Sequence, residues 1–144
     1  MGRLLAIDYG RKRTGLAVTD PAQIIANGLT TVDTSKLWDY LTAYLDRETV
    51  DCVVVGMPFQ MNGEPSDNQR NITPFLNRWR KHYPHIPIVE YDERFTSVMA
   101  HRTMLDAGLG KMARRNKALV DEISATIILQ SYMESRSYLK SENQ

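Results

Sequence analysis

The chain has 144 residues, 42% of them hydrophobic, which predicts one folded domain and excludes a disordered chain. Its 18 Lys and Arg nearly balance 17 Asp and Glu, which excludes a globally basic nucleic-acid binder and leaves only local patches. A lone cysteine, Cys52, excludes a disulfide framework, and no apolar run nears the roughly 20 residues of a bilayer span, so a cytoplasmic protein without a membrane partner is expected.

Residues 3–9 (RLLAIDY) read as a first strand, apolar on both faces. Gly10 and Gly15 bracket a turn, and residues 15–20 form the returning strand. Residues 24–32 give a third strand, broken at Asn27-Gly28. The segment TSKLWDYLTAYLDRETV predicts a helix with Thr34 or Ser35 as N-cap and Leu37, Leu41, Tyr44 and Leu45 on one face. Residues 51–58 (DCVVVGMP) are a β-branched run of the kind buried on both faces. A second helix follows in NQRNITPFLNRWRKHY, with Pro74 in its first turn or at a kink. Residues 86–92 give a fifth strand. A helix capped by Thr96 stops near Gly108, and a basic loop, 108–117, leads to the last helix, ALVDEISATIILQSYMESR. The order β-β-β-α-β-α-β-α-α predicts an α/β fold, a mixed five-stranded sheet with helices on its faces. Residues 1–138 make one domain, and residues 139–144 form a polar tail that frays.

Three carboxylates stand where they are costly. Asp8 shares a strand face with Leu4 and Ala6, and a charge ending such a row needs solvent, a partner or a metal. It also fits as a cap on the turn through Gly10. In EYDERF, Asp92, Glu93 and Arg94 fall where the fifth strand ends, and Arg94 can hold a neighbouring carboxylate. An exposed ion pair explains that segment as well, and the pattern does not choose between Asp92 and Glu93. Asp121 starts a helical stripe with Ser124, Ala125, Ile128 and Tyr132, so it points toward the sheet near a helix N-terminus. Glu122 lies about 100° round that helix and reads as solvated. Three acids without histidine or thiol suit Mg²⁺ or Mn²⁺ and phosphodiester hydrolysis.

Substrate contacts are predicted around these acids. Gly10 lets a backbone come close, and Arg11, Lys12 and Arg13 bring cations to phosphates or simply form a solvated turn. Gly56, Asn62 and Gly63 lie in a loop that ends a central strand. Lys111, Arg114, Arg115 and Lys117 make a local basic flap in the 108–117 loop. His82, His85 and His101 lack metal-ligand spacing, Trp38 and Trp79 read as core or covering residues, and Cys52 as an inert buried thiol.

Four segments in order, AIDYGRKRTGLAVTD, VVVGMPFQMNGEPSDN, YDERFTS and KALVDEISATIIL, resemble the YqgF family of pre-16S rRNA nucleases, also called Holliday junction resolvase-like proteins. The resemblance implies an RNase H-like fold with helices on both faces of the sheet. It implies a carboxylate cluster binding Mg²⁺ or Mn²⁺ through Asp8, Glu93 and Asp121, with Glu93 chosen by the DER motif. Maturation of the 5′ end of pre-16S rRNA, within the pre-ribosome, is the implied role. Relatives of the same fold resolve four-way DNA junctions, for which a symmetric dimer is needed; a monomer or weak homodimer is expected here. RNase H-like sites often carry a fourth acid in the last helix, where this chain has Ser124 and Ala125. Two further readings are a binding factor that holds RNA with a vestigial site, and a nucleotide-binding hairpin like that of actin-like ATPases. The second ranks low, because those proteins need two such domains.

Overall fold

The computed structural model describes residues 2–58, 67–93 and 117–142, with the side chains of the last helix described over 121–136. Strands β1 (Arg3–Tyr9), β2 (Arg13–Thr19) and β3 (Ala26–Asp33) form an antiparallel meander. Then come α1 (Leu37–Arg47), β4 (Val50–Met57), α2 (Gln69–His82), β5 (Ile88–Asp92) and α3 (Lys117–Glu142). The sheet order is β3-β2-β1-β4-β5, with β4 parallel to β1 and β5 parallel to β4. This is the mixed five-stranded α/β sheet that the sequence predicts.

Alternation along the strands divides the core in two. Leu5, Ile7, Leu16, Val53 and Val55 face Leu37 and Leu41 of α1 and Ile72, Phe75, Leu76 and Trp79 of α2. Leu4, Ala6, Ala17 and Val54 face Ala125, Ile128 and Leu129 of α3. Helices therefore cover both faces. Trp79 is fully buried and its indole N–H donates to the Ile86 carbonyl at 3.1 Å, so it is a core residue with its polar atom satisfied.

Four local details differ from the sequence reading. Thr34 and Ser35 do not cap α1: Thr34–Lys36 form a 3₁₀ turn, and neither Asp33 before it nor Lys36 before α1 makes a side-chain cap bond. The Thr34 hydroxyl has one hydrogen, and it donates that to the Gly10 carbonyl at 2.7 Å. Pro74 lies in the second turn of α2, where the missing N–H leaves the Arg70 carbonyl without its helical partner. The buried face of Ile72, Phe75, Leu76 and Trp79 holds the helix through that loss. Lastly, α3 runs to Glu142, through most of the segment read as a fraying tail, because extending an established helix carries no new nucleation cost. Lys117 is the first residue of α3 rather than the end of a loop. The helix expected from Thr96 to Gly108 lies outside the described residues. Among those residues, no helix is long and apolar enough to cross a membrane.

Candidate active site

Parallel pairing brings the carboxyl ends of β1, β4 and β5 to one edge, and antiparallel β2 starts at that edge. Asp8 and Arg13 meet there for that reason. Leu4 and Ala6 face α3, so Asp8, two residues further on, does too.

The register also separates Asp92 from Glu93. Gly56 pairs with Tyr91, and Met57 pairs with Asp92. Tyr91 packs in the α3-side cluster, whereas Met57 belongs to the cluster under α1 and α2. Glu93, two residues past Tyr91, therefore joins Asp8, and Asp92 faces away. A Cβ on Gly56 would stand 2.7 Å from Glu93 Oε1 and also meet Ile128. Gly56 thus makes room for a carboxylate of the protein itself.

Gly15 does the same for Asp121. It pairs with Asp8 across β1 and β2, and a Cβ there would collide with the Asp121 backbone carbonyl. Only glycine lets the start of α3 settle this closely on β2, which carries Asp121 over to Asp8.

The three acids feel one another. Burial, then the charges of Glu93 and Asp121 and a hydrogen bond with Glu93, push the Asp8 carboxyl up to about 7. Burial also pushes Glu93 up, opposed by the hydrogen bond from Asp8. The pair therefore holds a proton between them near neutral pH. Asp121 is turned to Arg13, whose Nε donates to Oδ2 at 2.9 Å. Arg13 is thus drawn inward to the acids, unlike Arg11 and Lys12 at the tip of the turn.

Asp8 and Glu93 offer hard oxygen donors short of positive charge, which fits a divalent cation in place of their shared proton. Among the described residues no three acidic, histidine or cysteine groups already stand as a metal-binding set.

The basic turn is held from three sides. Thr34 donates through its hydroxyl to Gly10 O and through its backbone N–H to Lys12 O at 2.9 Å. Asn68 Nδ2 donates to Tyr9 O at 2.8 Å. Thr14, fully buried, donates to the Thr34 hydroxyl at 2.9 Å. Arg11 and Lys12 remain exposed at the tip. The sequence reading had Thr34 only as a helix cap and Gly15 only as a turn residue, and it gave Asn68 no role. Their partners are distant in the chain, so only β1–β2 pairing, which pointed to Gly15, could have signalled any of them.

Other predicted positions fare differently. Glu122 is half-buried and pushed up by burial, because its stem lies over Gly28 of β3. Cys52 is half-buried, with its thiol also pushed up by burial. Asn62, Gly63, Arg94, Lys111, Arg114 and Arg115 lie outside the described residues.

The model of the family described as "RuvX: Holliday junction resolvase" matches residues 2–135. A "Putative pre-16S rRNA nuclease" of Phocaeicola vulgatus is 63% identical over 139 residues, 96% of this chain and 100% of that protein. Proteins of the same description from Bacteroides fragilis and Porphyromonas gingivalis are 61% and 60% identical, over 94% of this chain and 99% and 98% of theirs. Because both the family model and these relatives run the length of the sheet and its site-facing helix, the chain belongs to the RuvX family, the YqgF group of Holliday junction resolvase-like nucleases.

Proposed function

We propose that this nuclease is a divalent-metal-dependent endonuclease that matures the 5′ end of pre-16S rRNA in the cytoplasm. The observation that carries the reading is the half-buried Asp8–Glu93 pair, hydrogen-bonded to each other and both pushed up, beside Asp121 at the edge where the basic turn projects. Such a pair works against stability and is suited to chemistry. The relatives' names support pre-16S rRNA as the substrate.

Asp8 and Glu93, joined by Asp121, would hold Mg²⁺ or Mn²⁺. When bound, that cation supplies Lewis-acid polarisation of the phosphate and charge stabilisation at the leaving oxygen. Arg11 and Lys12 hold the phosphates on either side of the cut. Arg13 leaves Asp121 for the scissile phosphate as the third carboxylate turns inward. Water attacks phosphorus, one P–O bond forms and one breaks, and the water's proton passes to solvent or to the departing oxygen.

A precursor 16S rRNA fragment and a labelled four-way DNA junction, each with Mg²⁺, Mn²⁺ or EDTA, test this. Metal-dependent cutting of the RNA at the mature 5′ end is expected. Paired symmetric cuts in the junction alone would move the substrate to branched DNA, the reading that the family description favours. Binding of RNA without any cutting would leave a binding factor and overturn the nuclease proposal.

A further inference from the structure

On the opposite face of the same sheet edge lies a cavity of about 230 Å³, walled by Tyr9, Thr34, Trp38, Asn71, Phe75 and Arg78. Its most distinctive wall is a cation–π pair: the Arg78 guanidinium carbon lies over the Trp38 ring, 3.9 Å from its centre. Trp38 is braced edge-on by His82 at 5.3 Å, Phe75 at 6.1 Å and Trp79 at 6.4 Å between ring centres. Tyr9 and Phe75 stand 5.6 Å apart by ring centres. The result is a slot with flat π and guanidinium surfaces and an amide, from Asn71, among its walls.

We propose that this slot takes an unpaired base of the RNA substrate, stacked on the Arg78–Trp38 pair, with its flanking phosphates on the Arg11–Lys12 turn. The proposal rests on the nucleic-acid reading above and adds a subsite to it. Three features point to a nucleotide within a strand. Stacking on guanidinium and aromatic planes is how unpaired bases are held, and it is tolerant of base identity. Arg78, like Arg11 and Lys12, is exposed, and the chain is otherwise nearly neutral. Location completes the argument: Tyr9 follows Asp8 directly and points to the opposite face, and Thr34 both lines the slot and holds Gly10 of the basic turn. A strand crossing that turn reaches the carboxylates on one side and the slot on the other. A base within a duplex cannot enter, so the slot would select substrate with an unpaired segment beside the cut.

The test uses the full chain carrying Asp8→Asn, in EDTA, so that nothing is cut. A precursor 16S rRNA fragment carries 2-aminopurine at successive unpaired positions. Fluorescence should fall at one position on binding. Arg78→Glu, at an exposed helix residue, should remove that signal and weaken binding about tenfold. Arg80→Glu makes the same charge change two residues away, outside the slot, and should keep the signal with a much smaller loss. Trp38→Leu should behave as Arg78→Glu does, provided its far-ultraviolet circular dichroism is unchanged. Binding with no position-selective signal would overturn the proposal, as would equal effects of the two arginine changes. Failure of the nuclease reading is separate: it would appear as a retained signal in a wild-type protein that cuts neither RNA nor junction.

Discussion

At the edge of the sheet where β1 begins, Asp20 accepts the backbone N–H groups of Ile25 and Ile24, each at 2.8 Å, and its carboxyl is held below the usual range. Nearby, Asp51 accepts from the Gly2 backbone at 3.0 Å and from the Gln23 amide at 3.1 Å, and Glu48 pairs with Arg3 at 3.2 Å. At the edge where β1 ends, Asp8 and Glu93 are half-buried against each other and both are pushed up. One fold thus handles acids in two ways within a single strand's length. The first edge follows the rules of stability, with each acid given donors or a counter-charge. The second breaks them, and like charges are kept together where a cation and a phosphate are the expected guests.

Packing is the sharpest way to break this comparison. Gly15→Ala forces a methyl group into the Asp121 backbone and lifts the start of α3 from β2. A loss of about 3 kcal/mol, or roughly 10 °C in Tm, is expected by thermal denaturation. The site should fail with it, since Asp121 moves away from Asp8.

Titration sharpens the comparison next. Asp8 is raised from 3.8 to about 7 in the folded protein, so the folded state holds a proton that the unfolded chain has released. Stability then falls as pH rises from about 4 to about 7 in metal-free buffer. Asp8→Asn removes that penalty. It should raise stability by up to about 4 kcal/mol at pH 8 and change little at pH 4, as read by denaturant titration at both pH values.

Bracing of the basic turn gives a smaller effect. Thr34→Val deletes the donor to Gly10 O and leaves the buried Thr14 hydroxyl without its acceptor. A loss of about 1–2 kcal/mol is expected, together with faster hydrogen exchange in the 10–13 turn. The smallest effect belongs to the opposite edge and has the opposite sign to that of Asp8. Asp20 is lowered, so its contribution is present above the unfolded value and lost as pH falls through the folded one. Asp20→Ala should lower Tm slightly at pH 7 and not at all at the acid end.

How much of this the sequence carried depends on the distance between partners. The runs in β1 and β4 end within a residue or two of their expected limits, because β-branched and apolar alternation is local. Asp8 is visible for the same reason: it closes an apolar row two residues past Ala6. The choice of Glu93 over Asp92 needed either the family motif or the pairing of Gly56 with Tyr91, which no local pattern contains. Arg13 looked free because Asp121 lies 108 positions away. Thr34 looked like a helix cap, since its real acceptor, Gly10, is 24 positions back and becomes a neighbour only through the meander. Gly56 drew attention as a place of close approach, and the neighbour that no local pattern shows there is Glu93.

The account's central claim is that the crowded acids at the end of β1 are kept for catalysis and not for the fold. Single-turnover cleavage of a precursor 16S rRNA fragment by wild type and by Asp8→Asn, at pH 8 with Mg²⁺, tests it most directly. A fall of at least about a thousandfold is expected, in a variant that in metal-free buffer is more stable than wild type. Comparable rates in the two proteins would contradict it.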